Sequence, residues 1–421
     1  MASDRADLVV VGAGTVGGWA SYFARLSGAE RVVVLERGRA GDGASSRAAG
    51  MVRAQGGTPT TVALGRWSIA FYHEQMEVLG TDSGFRELGY LILALSLEDV
   101  EIGRARVAMQ QRAGIDVRWL DSSAAVELDP SLDPASFKGA SYLATDGCID
   151  PPRNVRAYSL AMQKVGVVLR EHTTFLGLRV EKTSSRTRVI GVDTSAGAIE
   201  TSRVILTGGP TLREIGDAAG IRIPVGAVRH QVAVTEPHAA FDVDRRAMGF
   251  DLAAGLYWRL EDGGLLFGMS NPDEEPGPAR DIDWPYLETM RARLERFLPV
   301  TAGLGLRKAW AATIDYTSDH QPILGPAMSA SGDRIDGVTI AAPGGHGMMW
   351  GPAIARIAAD LSLEGETTLA DVGDFGLDRF DDRGRSRIPT DPIALPFPTV
   401  TSDQGTSVNA VRTSVGGTRK P

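Results

Sequence analysis

Residues 8–18 read LVVVGAGTVGG, and residues 32–38 read VVVLERG. Leu8–Val11 is an uninterrupted apolar run, as expected of a strand buried on both faces of a parallel sheet. Gly12, Gly14 and Gly17 then form a G-x-G-x-x-G turn, and Val16, Ala20, Phe23, Ala24 and Ser27 recur at helical spacing until Gly28. Val32–Leu35 is a second strand, with Glu36 at its tip. A glycine turn between strand and helix, followed by an acid at the end of the next strand, is the context a dinucleotide-binding turn requires. Gly12 permits the tight turn, Gly14 lets a pyrophosphate approach the backbone, and Gly17 lets helix and strand pack closely. The helix start, with Ala13, Thr15 and Val16, offers free N–H groups and a partial positive charge to phosphates. Glu36 suits a ribose diol and disfavours a 2′-phosphate, with Arg37 beside it. The turn alone does not separate NAD from FAD.

The remainder of the chain sets bounds. At 421 residues, two domains are expected. The composition is that of a globular protein, 43% hydrophobic and 23% charged, with 50 glycines and a net charge of −8. An acidic chain without a basic block argues against nucleic-acid and anionic-membrane partners. Cys148 is the only cysteine, which excludes an intrachain disulfide and a CxxC metal site and fits a reducing compartment. No segment reaches the ~20 apolar residues of a membrane span. A strand and glycine loop within the first fourteen residues leave no room for a signal peptide, so a cytoplasmic location is expected.

Further along, a helix with Leu64, Trp67, Phe71 and Val78 on one side follows the small-residue stretch GASSRAAGMVRAQGG (43–57). GYLILAL (89–95) and GASYLAT (139–145) read as antiparallel strands around a helix over about 99–113. Runs of strands follow over 167–208 and 225–270, and GVTIAAPGGHGMMWGPAIARIAADLSL (337–363) returns to strand, glycine loop and helix. The last forty residues are rich in Pro, Ser, Thr and Gly and read as a tail.

Taken in order, VVVGAGTVGG with LERG, SSRAAGMVRAQ (45–55), IDYTSDHQPILGP (314–326) and AAPGGHGMMWGPAIARIAADL (341–361) resemble the D-amino-acid-oxidase-like family of flavoproteins. The likeness is to its branch of sarcosine oxidase β-subunits and monomeric sarcosine oxidases; DGCIDP (146–151) and RHQVAVTEP (229–237) add to it. The resemblance implies an α/β fold: a Rossmann-like FAD-binding domain (GR2-type) with an interleaved antiparallel-sheet α+β substrate domain. On that reading residues 1–84, 146–222 and 317–380 bind FAD, 85–145 and 223–316 form the substrate domain, and 381–421 are a C-terminal tail. FAD is implied in extended, non-covalent form, since the cysteine and histidine that tether flavins in some relatives have no counterparts near Trp310 or Pro152.

The resemblance also assigns residues. Ala44, Ser45, Ser46, Arg47, Ala49, Gly50 and Met51 would run past the pyrophosphate and along the isoalloxazine, small because the ring fills the space. Phe175 would bracket the adenine, Gly208 and Gly209 would close around the dinucleotide, and Gly344, Gly345, His346, Gly347, Met348 and Met349 would open a helix over 353–361 aimed at the pyrimidine edge. Negative charge gathers there on reduction, and a helix N-terminus favours it. Arg53 stands where the family places an arginine for the substrate carboxylate, a task suited to the guanidinium fork. His346 either hydrogen-bonds the flavin or packs the loop. Asp319 and Pro322 are expected to hold the flavin-side loop. Alternation in GLYWRL (255–260) allows only one of Tyr257 and Trp258 to face the flavin, and Tyr257 is the choice; Arg229 is a further candidate for substrate contact.

Departures from the family pattern accompany the matches. Leu266 and Ser270 occupy the strand that carries a lysine and a histidine in monomeric sarcosine oxidases. Met349 and Ile314 stand where relatives have basic residues for the carboxylate. A bulkier or less anionic substrate than sarcosine is the consequence expected. The implied reaction is oxidation of a C–N bond of an amine or N-substituted amino acid by hydride transfer to flavin N5, giving an imine that hydrolyses. The electron acceptor would be O2, a quinone or a partner flavoprotein. Arg53, Tyr257, His346 and Met349 are then the residues nearest the chemistry. His73, His172, His230, His238 and His320 show no metal-ligand spacing, and structural or solvent roles are expected for them. The alternatives are a D-amino-acid dehydrogenase-type deaminase, or a flavin-holding subunit or assembly factor with little turnover.

Overall fold

The computed structural model describes residues 4–184, 186–243, 246–329, 332–393 and 396–397. Two sheets organise these residues. In the first, the strands Arg334–Ala342, Val204–Leu206, Leu8–Val11, Val32–Leu35 and Val168–Arg170 lie parallel in that order. Thr187–Thr194 and Phe175–Lys182 extend it on one side, while Gly197–Glu200 and Ile323–Met328 pair onto it antiparallel. Every residue of Leu8–Val11, Val32–Leu35 and Val204–Leu206 is buried, because both faces are covered. One face holds the helices Thr15–Leu26, Pro151–Lys164 and Gly351–Leu363; Phe175, Leu212, Ile221 and Ile223 belong to the core on the other.

The second sheet contains eight strands, ordered Leu306–Tyr316, Gly226–Thr235, Gly264–Met269, Leu256–Glu261, Met248–Asp251, Tyr90–Ala94, Gly139–Leu143, Arg118–Asp121. All pairings are antiparallel except that of Met248–Asp251 with Tyr90–Ala94. This parallel pair is the seam where two distant chain segments join, so no hairpin dictates its direction. The expected antiparallel strands 89–95 and 139–145 pair as read, around the helix Leu97–Arg112. Alternation sends Trp258 to the outer core, stacked on Phe297 at 5.6 Å, and Tyr257 to the inner cluster with Met51, Tyr90, Phe250 and Val232. The fold is the α/β class expected, a Rossmann-like sheet with an interleaved, largely antiparallel second sheet.

Two details differ from the sequence reading. In the helix Pro59–Leu79, Val78 is 56% exposed and Leu79 takes the inward place. Within the segment read as a tail, Asp391 and Ile393 are buried, because residues 381–393 turn back onto the body and pack there. The remainder of that tail, apart from residues 396–397, lies outside the described residues.

Candidate functional site

A cavity of about 1120 Å³ lies where the two sheets meet, above the ~300–1,000 Å³ of ordinary ligand pockets. On the first-sheet side it is walled mostly by backbone. Gly12 adopts φ +97°, and a Cβ on Gly17 would stand 1.9 Å from the Gly12 carbonyl oxygen, so strand and helix meet only with glycine there. At Gly14 an added Cβ would meet only the Ser45 hydroxyl, at 3.1 Å. No side chain of Gly14 caps the helix Thr15–Leu26; instead Ser45 Oγ accepts from the Thr15 N–H at 2.9 Å. The Glu36 carboxylate is clipped to the turn, accepting from the Ala13 N–H at 2.9 Å and the Gly38 N–H at 2.8 Å. Gly208 and Gly209, at φ +144° and +51°, and Phe175 complete this wall.

The stretch 43–53 runs along the cavity, with Ala44, Ser45, Ala49, Gly50, Met51 and Arg53 lining it. Its small residues have more than one cause. Gly50 lies at φ +76°, and its Cβ would be 2.2 Å from the Ile149 carbonyl oxygen, so the neighbouring chain already demands glycine. Ala13, Ser46, Arg47 and Gly344, all expected at the cofactor, do not line the cavity. Arg47 folds back on its own loop, donating to the carbonyls of Asp42 and Gly43, while its carbonyl accepts from Trp310 Nε1 at 2.8 Å. Gly344 donates its N–H to Asp315 Oδ2 at 3.0 Å and thereby fixes the loop from behind. Burial pushes that Asp315 carboxyl up to about 6.

The loop 345–349 lines the cavity, and the helix after it spans Gly351–Leu363, two residues earlier than its expected start. His346 stacks on Trp350 at 4.0 Å, and its Nδ1 donates to the Gly344 carbonyl at 3.0 Å. Burial and then the Arg53 charge push it down to about 3, so the ring is neutral. With the proton on Nδ1, Nε2 is left as an acceptor.

On the second-sheet side the wall is made of side chains. His230 Nε2 meets the Tyr257 hydroxyl at 2.5 Å, and its Nδ1 meets Ser270 Oγ at 2.7 Å. The two rings stack at 5.5 Å, and burial pushes His230 down to about 4 and the Tyr257 phenol up. Arg53, 4% exposed, donates to the carbonyls of Gln55 and, at 2.9 Å, of Ile393. Among the described residues no carboxylate lies within ion-pair distance of it. Tyr90, Phe250, Ile314, Met348 and Met349 also line the cavity.

His230 was expected to be structural, yet it lines the cavity. The strand Gly226–Thr235 alternates, and Arg229, the neighbour chosen from sequence, pairs outside with Glu274 at 2.8 Å. Asp315, Tyr90 and Ile393 were also missed; only the strand register and the fold of the C-terminal segment bring them in. Asp319 holds a loop, as expected, bound by Arg379 at 2.7 and 3.1 Å. No group of three His, Cys, Asp or Glu side chains suited to a metal occurs among the described residues. No helix among them is long and apolar enough to cross a membrane.

Residues 7–361 match the model of the FAD dependent oxidoreductase family, DAO, and the chain belongs to that family. It is 28% identical over 370 residues to 4-methylaminobutanoate oxidase (formaldehyde-forming) of Paenarthrobacter nicotinovorans, covering 85% of this chain but only 43% of that protein. With sarcosine oxidase subunit beta of Rhodobacter capsulatus it shares 27% over 384 residues, 89% of each chain. The fold of L-proline dehydrogenase from P. horikoshii superposes with a TM-score of 0.81 at 24% identity, over 89% of this chain and 97% of that one. Members of this family are FAD-dependent flavoproteins, and the cavity fits that cofactor. It has a glycine cradle, a helix start whose N-cap residue is a glycine, a carboxylate set beside the turn, and length enough to reach a second, apolar wall.

Proposed function

We propose that the protein oxidises a C–N bond of an amine or N-substituted amino acid, using FAD held non-covalently in this cavity. One observation carries the reading: a single cavity joins the glycine turn and Glu36 to Arg53 and the Tyr257–His230 pair. Gly12, Gly14, Thr15, Ser45, Glu36, Gly208 and Gly209 would hold the dinucleotide, and the loop 345–349 would meet its ring end. Bound there, FAD supplies the two-electron acceptor.

The chain's own residues bind and orient. Arg53 offers a buried positive charge whose acceptors are neutral carbonyls, so an anionic group on the substrate is attracted to it. His346, neutral, offers its Nε2 as an acceptor, and the equally neutral His230 holds the Tyr257 hydroxyl in place, so neither ring repels a substrate cation. The apolar wall of Met51, Phe250 and Met349 excludes water and favours the uncharged amine. The substrate loses a hydride from carbon and a proton from nitrogen, and water hydrolyses the resulting C=N bond to a carbonyl and an amine. The electrons pass to O2, a quinone or a partner flavoprotein. The lone buried thiol of Cys148 suits a cytoplasmic setting.

Anaerobic mixing of the holoenzyme with N-alkyl amino acids and plain amines tests this. Bleaching of the flavin band by one class supports the reading, and a flavin unchanged across the panel overturns it. Acid precipitation is expected to release all the yellow colour.

A further inference from the structure

The family match ends at residue 361, yet the chain beyond it returns to the cavity. Its root is the buried pair of Arg379 and Asp319, with Arg379 also donating to the Phe375 carbonyl at 2.7 Å. Ser318 Oγ donates to the Gly384 carbonyl at 2.8 Å, and the Asp391 N–H to the Asp319 carbonyl at 2.9 Å. Asp391 Oδ1 then accepts from the Ile393 N–H at 2.7 Å, which fixes the turn that delivers Ile393. Ile393 is fully buried, lines the cavity, and belongs to the apolar cluster of Met51, Tyr90, Phe250 and Tyr257. Its carbonyl accepts from Arg53 Nη2. Further on, Phe397 stacks on His320 at 5.2 Å and stands against Gly345.

We propose that Ile393 determines substrate specificity: residues 386–393 form a strap whose last side chain closes the substrate end of the cavity while its carbonyl fixes the Arg53 fork. Among carboxylates it selects those whose neighbouring apolar group is short enough to clear Ile393, which narrows the bulkier substrate expected from Met349 and Ile314. Arg53 has five N–H donors, and two neutral carbonyls engage its two terminal nitrogens. Three donors remain; among the described residues no carboxylate is bonded to them, although the buried Asp146 and Asp391 carboxyls feel the Arg53 charge from further off, so a substrate carboxylate would be its first direct ionic partner. The Ile393 side chain stands in the same wall, so the size of the apolar group beside that carboxylate is limited by this residue. The inference rests on the oxidation reading for its substrate, but carboxylate binding reads it separately.

Two variants of the holoenzyme test it, each with two readouts. The first readout is the affinity for acetate and for hexanoate, followed by the change each causes in the flavin spectrum. The second is anaerobic reduction by N-methylglycine and N-butylglycine. Ile393→Ala is expected to shift both ratios towards the longer compound by about tenfold or more, the scale on which a pocket discriminates methylenes. Its acetate affinity should be retained, because the carbonyl remains. Truncation after Thr390 removes that carbonyl and is expected to weaken acetate binding by about tenfold, with the flavin still bound. Unchanged size ratios in Ile393→Ala overturn the proposal, and so does unchanged acetate affinity in a folded truncated protein. If the truncated chain does not fold, the Ile393→Ala ratios decide alone. If no amine reduces the unaltered enzyme, the oxidation reading fails while the acetate-to-hexanoate ratio still judges the strap.

Discussion

At the first-sheet end of the cavity the contact surface is backbone: Gly12, Gly14, Gly208 and Gly209, with the first amides of the helix Thr15–Leu26. At the second-sheet end it is side chains, Arg53, Tyr90, His230, Tyr257 and Ile393, delivered by strands and a strap far apart in sequence. A backbone surface recognises what every dinucleotide shares, its phosphates, and depends on positions where no Cβ fits. A side-chain surface recognises what one substrate has, and depends on register. The first should therefore fail through sterics and lose the cofactor; the second should fail through chemistry and lose only the substrate.

The sharpest way to break that contrast is Gly17→Val. With a Cβ 1.9 Å from the Gly12 carbonyl oxygen, the helix must leave the strand, at a cost of about 3 kcal/mol. A lower melting temperature and a colourless protein are expected. Gly14→Ala is the milder companion, since its Cβ meets only Ser45 Oγ at 3.1 Å. It should fold normally but bind FAD more weakly, as measured by the ratio of flavin to protein absorbance. Full retention of FAD there would place the pyrophosphate elsewhere.

Next in size is Arg53→Ala, which removes the buried cation without touching the glycine turn. Carboxylate affinity is expected to fall by about 2–4 kcal/mol while the flavin content holds. Arg53→Lys should not restore it, because one ammonium cannot reach both the Gln55 and Ile393 carbonyls and still present a fork. Equal loss of FAD and acetate binding would merge the two ends into one site.

The same contrast explains what could be read from the sequence. The strands Leu8–Val11 and Val32–Leu35, and the glycines between them, announce themselves locally: apolar runs, a turn, an acid nineteen residues after Gly17. Tyr257 was accessible because alternation left two choices. His230 was not, because choosing between it and Arg229 requires knowing which face of the strand Gly226–Thr235 meets the cavity, and register with the neighbouring strands fixes that. Gly50 taught a different lesson. Its smallness was attributed to a ligand, yet the Ile149 carbonyl and a positive φ require it without one. Ile393 lies in a stretch whose composition reads as a tail, and only the turn at Asp391 and the Arg379–Asp319 pair bring it home.

Tyr257→Phe tests the side-chain end with a single oxygen. The hydroxyl lies 2.5 Å from His230 Nε2, so its loss leaves a buried nitrogen without that partner, at a cost of about 1–2 kcal/mol. The melting temperature should drop modestly and flavin reduction should slow, with FAD binding unchanged. A matching loss in His230→Asn, not additive with the first, would show that the two act as one unit.

The smallest effect concerns protons. His320 packs beside the strap, off the cavity, and burial pushes it down to about 4, partly offset by the Asp319 charge. Unfolded, it takes a proton near about pH 6.5, whereas folded it refuses one until about pH 4. Between those values the unfolded chain holds more protons, so this residue's contribution is fully present above about pH 6.5 and is lost as the pH falls. Asp146, pushed up to about 7 by burial, works in the opposite sense, since the folded chain holds its proton where the unfolded chain has released it. His230 and His346 add to the first sense and Asp315 to the second, so the net slope of the unaltered protein mixes them all, and only the difference against a variant isolates His320. His320 sits at φ +58°, which asparagine tolerates, so His320→Asn is the variant to use. At about pH 5.5 it should recover at most about 1.4 kcal/mol of stability relative to its value at about pH 8, read from denaturant midpoints at both pH values. An identical pH dependence in the two proteins would mean that folded His320 takes up its proton as readily as the unfolded chain does, so that at about pH 5.5 Phe397 stacks on a cation.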